Sequence, residues 1–367
     1  MFELETLQII WWALICIIFA CFLLTNGFDT GIGIMLPFAA KTETEKRILI
    51  NVLAPHWDGN QVWLVLAVGA LFAAWPIVYA TTFSLFYFPM MLALFCLFFR
   101  PVGFDYRNKI DDPRWKNFWD WGIFSGSTFP TFFLGLIVGN LFIGLPFSIG
   151  ELERPVVTAT FISLFNPFSV LSGLFCCSLL VLHGAAYSKL RTEGELNKRL
   201  SQFIRMSSAG SLILFIILGL MLWLSVTGLF IDSTSTIQYQ VGGWLTNYQV
   251  FSASYLLPLL TGAALISACL FSFKSAILSF FASSLSIIFA VLTGATSLYP
   301  FVLPSSSVPS DSLTIFNGSS SAYTLKVMSV AVLFFVPLIF LYTAWCYRKL
   351  WGRLNSTFIK ENNHSLY

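Results

Sequence analysis

Charge is scarce in this sequence. Asp, Glu, Lys and Arg make up 10% of the 367 residues, where a water-soluble domain uses roughly a quarter to cover its surface. A soluble globular protein is therefore excluded. Histidine is scarcer still, with only His56, His183 and His364. Haem iron takes axial His, Met, Cys or Tyr ligands, and no pair of these histidines has a recognisable ligand spacing, so this chain is expected to ligate no haem. The seven cysteines (Cys16, Cys21, Cys96, Cys176, Cys177, Cys269 and Cys346) all sit in apolar stretches and form no CxxC or CxxCH arrangement. They read as small packing residues, which argues against a disulfide framework, a metal site and covalently attached haem. No basic run offers a surface for nucleic acid, so no nucleic-acid partner is expected. The opening residues carry Glu3 and Glu5 and no base ahead of the first apolar run. A cleaved signal starts with positive charge, so a retained helix is expected here instead.

What is abundant is apolar mass: 57% hydrophobic residues, among them 39 Phe and 12 Trp. Side chains of that bulk can cover a surface on this scale only where lipid is the solvent. A spanning helix needs about 20 mainly apolar residues to cross a ~30 Å hydrocarbon core. Runs of that length occur at 9–38, 54–76, 79–99, 119–143, 163–187, 206–231, 253–272, 275–299 and 324–347. The second and third are divided only at Trp75-Pro76, the seventh and eighth only at Phe273-Lys274. No connecting stretch is long enough for a soluble domain. The expectation is an all-α membrane protein of about nine transmembrane helices in bundles, a single polytopic domain over residues 1–367.

Nine crossings put the two termini on opposite sides and let alternate loops be compared. All but two of the 20 lysines and arginines then fall on one side; the exceptions are Arg154 and Lys326. The positive-inside rule places the C-terminus in the cytoplasm and the N-terminus in the periplasm. An even helix count would scramble this segregation. The loop over 301–322 is rich in Ser and Pro and is expected to be irregular.

Ionisable groups inside spans are costly, so each is a functional candidate. Asp29 lies in the first span, His56 and Asp58 in the second. Counting at 1.5 Å per residue, Asp29 has descended ~30 Å while Asp58 has entered ~6 Å from the other direction, which brings both to the inner third. His56 and Asn60 share a face at i, i+4, and Asp58 and Gln61 share another at i, i+3. A carboxylate among amides and hydroxyls suits a proton relay; it equally suits polar glue between two helices. Trp57 stands between His56 and Asp58 and either orients the helix or takes part directly. Arg100, at a helix end, and Asp105 are candidates for contact with a partner or a cofactor propionate. The Gly31-Ile32-Gly33 pair has neither the third glycine nor the preceding strand of a nucleotide loop, so helix packing accounts for it.

At these residues the chain resembles a known family. Thr25-Asn26-Gly27-Phe28-Asp29-Thr30-Gly31, Ala54-Pro55-His56-Trp57-Asp58-Gly59-Asn60-Gln61-Val62-Trp63 and Phe99-Arg100-Pro101-Val102-Gly103-Phe104-Asp105-Tyr106-Arg107 are similar to the signature stretches of subunit II of the cytochrome bd-type quinol oxidases. Trp119-Asp120-Trp121-Gly122, Tyr299-Pro300-Phe301-Val302-Leu303-Pro304-Ser305 and the closing His364-Ser365-Leu366-Tyr367 extend the resemblance over essentially the whole chain. It implies a terminal respiratory oxidase of the bacterial inner membrane that reduces O2 to water with electrons from quinol and protons from the cytoplasm, building a proton-motive force without pumping. It implies haems b and d on a partner, the haem-bearing subunit I, and none on this chain. A structural quinone within subunit II and a small accessory subunit are further features of some family members. The position matching Asp58 belongs to the family's proton path, with Asp29, His56, Trp57, Asn60 and Gln61 around it. One departure stands out: the first motif commonly begins with Asp, where this chain has Asn26. An amide cannot carry a proton by ionising, which leaves Asp29 and Asp58 as the expected carriers. A proton-coupled secondary transporter and a pure scaffold for the haem subunit are the competing readings.

Overall fold

The computed structural model describes residues 3–150, 154–232 and 236–361. The closing motif that includes His364 lies outside them. Fourteen α-helices follow one another among the described residues. The first, α1 (Leu4–Ala39), is followed by the short α2 (Glu43–Leu53), then by α3 (Trp57–Ala74), α4 (Pro76–Leu85), α5 (Tyr87–Leu97) and α6 (Phe99–Tyr106). Next come α7 (Pro113–Ile143), α8 (Pro167–Arg191), α9 (Gly194–Leu224), α10 (Thr246–Val250), α11 (Leu256–Phe271), α12 (Ala276–Leu298), α13 (Ala322–Lys349) and α14 (Ser356–Glu361). Eight segments are long and apolar enough to cross a membrane, nine if the bent pair α3–α4 counts as one.

Residue chemistry sets the ends of these helices. Thr42 and Glu45 form a reciprocal capping box at the start of α2. The side chains of Asp112, Asn166, Ser275 and Ser321 accept the first free amides of α7, α8, α12 and α13. Each satisfies a donor that the helix itself cannot. Pro76 lacks an amide hydrogen and so cannot continue α3. The chain turns by 120° there, with the Trp75 indole held by the Ile315 carbonyl at 3.1 Å.

Two expected spans are corrected. The third does not begin at 79: α4 is a separate short helix, and the crossing runs from Tyr87 to Tyr106 through α5 and α6. The whole stretch is apolar, and hydropathy carries no information about a change of direction. The sixth begins at Gly194 and ends at Leu224, because 227–231 pairs as a strand, β3 (Thr227–Ile231), with β4 (Ile237–Val241). Two smaller antiparallel pairs, β1 (Phe147–Ile149) with β2 (Pro155–Val157) and β5 (Phe301–Leu303) with β6 (Leu313–Thr314), complete the strands among the described residues.

Helix α1 is the axis of the bundle, packed against α3, α7, α8 and α12. Its approach to α8 is made possible by glycines on both sides. A Cβ on Gly184 would lie 2.6 Å from the Ile32 amide nitrogen, and one on Gly31 would run into the Leu180 carbonyl. Packing thus accounts for the Gly31 position. The loop 299–321 gathers one end of the bundle: Gln8 donates to the Phe316 carbonyl, Ser320 to the Ala73 carbonyl, and Leu145 to the Pro304 carbonyl. The opposite end collects α2, the start of α7, the α8–α9 turn and α14, together with most of the basic residues. Helix α13 lies outermost and touches the bundle chiefly along α1 and α3.

Candidate functional site

Asp29 is fully buried in α1. Its Oδ2 accepts a hydrogen bond from the Asn60 amide of α3 at 2.7 Å. The Asn60 Oδ1 in turn accepts from the Tyr347 hydroxyl of α13, also at 2.7 Å. Three helices far apart in sequence therefore meet at one amide. The Tyr347 ring stacks on His56, centroids 4.5 Å apart and planes 10° apart. Phe28 stacks on Tyr187 of α8 at 4.0 Å, and both stand edge-on to His56. Arg191, one turn beyond Tyr187, donates to the Tyr187 hydroxyl and to the Gly352 and Leu350 carbonyls, with its guanidinium over Trp351. The chain leaving α13 is thereby pinned under the cluster.

The residues singled out from the sequence divide into two groups. Asp29, His56 and Asn60 come together in this buried cluster. Asp58 does not join them: it is exposed on the opposite face of α3, where its charge reaches Tyr342. Trp57 and Gln61 are half-buried on the flank, Trp57 at 6.5 Å from Phe104. Arg100 is wholly buried, while Asp105 is exposed on α6.

A second charged cluster lies nearer the basic end. Asp120 of α7 is buried and accepts from Lys46 at 2.7 Å and from Arg107 at 2.6 Å. Arg107 also pairs with Glu43 at 2.5 Å, and Glu45 pairs with Arg199. These pairs fasten α2 against α6, α7 and α9. Burial works against the Arg107 charge, but the Asp120 and Glu43 carboxylates outweigh it and raise its pKa. Burial likewise opposes the Glu45 charge; donation from the Lys41 amide, Arg199 and the Thr42 amide outweighs it and holds the carboxyl below its usual range.

Haem does not fit the histidines of this chain. Both ring nitrogens of His183 are engaged, with the Ser283 hydroxyl at 2.9 Å and the Leu24 carbonyl at 3.0 Å. His56 is enclosed by stacked and edge-on rings. Among the described residues no group of three His, Cys, Asp or Glu could hold a metal ion.

Residues 7–350 match the family described as cytochrome bd terminal oxidase subunit II. The chain belongs to that family. Over 379 aligned positions, covering all of both chains, it is 41% identical to the cytochrome bd-I ubiquinol oxidase subunit 2 of Escherichia coli K12. The probable cytochrome oxidase subunit 2 of Haemophilus influenzae is also 41% identical over the full length of both. The cytochrome bd ubiquinol oxidase subunit 2 of Bacillus subtilis is 31% identical over 94% of this chain and 96% of its own. In solved structures the fold is similar to a chain of the bd oxidase from Geobacillus thermodenitrificans, with a TM-score of 0.69 at 14% identity over 92% of this chain and 97% of that one. As a bd oxidase subunit II the chain is a multi-span helical component of an oxidoreductase complex, and the family name implies both haems in that complex and a first subunit beside it.

Sequence reasoning missed Tyr347, Tyr187, Arg191 and Asp120. For Asp120 the signal was present, since an acid stood at the edge of an expected span. Tyr347 left none: it sits in an ordinary helix end, and only the packing of α13 brings it to Asn60.

Proposed function

We propose that this chain is the oxidase subunit that ligates no haem, that it packs against and stabilises the haem-bearing subunit I, and that it opens a proton path from the cytoplasm to O2 reduction. The observation that carries this is the placement of Asp58. Along α3 the same face presents the exposed Val62, Val65 and Phe72, so an acid sits on an otherwise apolar membrane-facing stripe. A carboxylate facing hydrocarbon is costly, and such groups face protein or a water-filled passage instead. A partner chain covering this stripe would enclose Asp58 between two subunits. The basic end of the bundle faces the cytoplasm by the positive-inside rule, which puts Asp58, His56 and Asp29 at the entrance side. In this reading haems b and d and the quinol-oxidising site belong to subunit I. Quinol supplies the electrons, and the complex sits in the bacterial inner membrane. Asp58 takes up protons at the subunit boundary, with Trp57 and Gln61 shaping its surroundings. Asp29, His56 and Asn60 form the inner part of the same polar region, and Arg100 and Asp105 flank it.

Purification of the tagged chain from its own membrane tests the reading. A haem-bearing partner and quinol-dependent O2 uptake are expected in the same fraction. A chain that purifies alone and drives solute uptake would replace the oxidase reading with that of a proton-coupled transporter.

A further inference from the structure

Four tryptophans are almost completely buried: Trp11, Trp63, Trp75 and Trp244. Three of them give the indole proton to a partner, at the Leu325, Ile315 and Phe142 carbonyls. This is the usual behaviour of buried polar groups, which seldom go unpaired. Against that background Arg100 is the outlier. It is fully buried, yet Nε, Nη1 and Nη2 all have no hydrogen-bond partner within the chain. A guanidinium keeps its charge in a protein and has five hydrogens to give.

Its neighbours are orphaned too. Gly126 of α7 packs on Arg100: a Cβ there would lie 3.1 Å from the Arg100 amide nitrogen and 3.2 Å from its Cγ. The next residue, Ser127, packs on Gly33 of α1, where an added Cβ would lie 2.8 Å from the Ser127 Cβ. Gly33 is one helical turn beyond Asp29. The charge of Arg100 acts on Asp29 across this space, although no hydrogen bond or ion pair joins them directly. The Oδ1 atoms of Asp29 and Asn26 and the Ser127 hydroxyl are buried without partners in the same region between α1, α6 and α7.

We propose that Arg100 and Asp29 form a water-bridged ion pair, with a resident water cluster held between α1, α6 and α7. The mixture of orphaned groups decides the ligand. A small anion would satisfy Arg100 but stand against two acceptors, Asp29 Oδ1 and Asn26 Oδ1. A cation would have the converse fault. Water donates and accepts, and buried waters ordinarily make about three hydrogen bonds to groups of this kind. The proposal also bears on proton movement, a consequence that rests on the proton-path reading. Asn60 cannot pass a proton between Tyr347 and Asp29, because its amide donates on one side and accepts on the other and does not ionise. The water cluster can take up and release a proton beside Asp29.

The test is a map of the intact oxidase complex at a resolution that resolves water. Discrete water peaks between the Arg100 guanidinium and Asp29 Oδ1 are expected. A direct ion pair, or continuous density of an organic ligand there, would overturn the proposal. Heat-inactivation midpoints of Asp29→Asn, Arg100→Gln and the double variant give a second measure. Each single change leaves a buried charge without its counterpart, so the double variant is expected to lose less than the sum of the two. Strict additivity would overturn the pairing. Waters in the map together with unchanged O2 uptake in Asp29→Asn would leave the hydrated pair standing and remove the proton-path reading.

Discussion

The Tyr347 hydroxyl and the Asn60 side-chain carbonyl are joined at 2.7 Å across 287 positions of sequence. This bond draws the last turn of α13 onto the first turn of α3, and through Asn60 onto Asp29 in α1. Most of α13 has no buried face, so its inner end is held by very few contacts. Tyr347→Phe keeps the ring that stacks on His56 and removes only the donor. The Asn60 oxygen is then left unsatisfied inside the bundle, a loss of about 1–3 kcal/mol. A lower heat-inactivation midpoint of the purified complex with unchanged haem content is expected. An unchanged midpoint would mean the bond contributes nothing.

How much of this was legible beforehand depends on distance along the chain. Asp29 and Asn60 were visible because an acid and an amide inside apolar runs are rare. The common depth of Asp29 and the second span followed from counting residues. The side on which Asp58 emerges was not visible: residues 58 and 60 are two apart, which on a helix turns them about 200° from each other, but periodicity alone does not say which face is inward. The corner at Trp75-Pro76 was readable as a break, while its 120° angle was set by contacts with the loop at Ile315.

The Asp120 cluster makes a sharper energetic prediction. Asp120 is the shared acceptor of Lys46 and Arg107, and both the aspartate and Arg107 are buried. Removing one partner of a buried ionic group leaves the other uncompensated, at a cost of roughly 3–5 kcal/mol. Asp120→Asn is expected to lower the yield of assembled complex and its inactivation midpoint together. The exposed pair of Glu195 and Lys198 serves as the contrast, since Glu195→Gln is expected to change neither. Equal behaviour of the two variants would sink the distinction.

Glu45 gives a pH dependence whose sign can be worked out. Its carboxyl is held below its usual range by the Lys41 and Thr42 amides and by Arg199. A depressed carboxylate stabilises the folded state above its unfolded pKa, near 4.5. That contribution fades as pH falls through the lower, folded value. Wild type is therefore expected to exceed Glu45→Gln in inactivation midpoint at neutral pH, with the gap closing only below about pH 4. A gap that persists unchanged into acid would show that Glu45 acts through packing rather than charge.

Asp58 separates a proton path from a scaffold. It is exposed on this chain and makes no contact that the bundle needs, so Asp58→Asn leaves the fold with its internal bonds intact. If protons enter at this carboxylate, an amide of the same shape stops them, because it cannot ionise. Quinol-dependent O2 consumption is then expected to fall by about tenfold or more, the low end of what a positioned proton-transfer group supplies, while haem spectra of the complex stay as in wild type. Wild-type turnover would leave the chain as a scaffold only. Loss of haem would mean that Asp58 organises the partner's sites, and the proton reading at this position would fall with it.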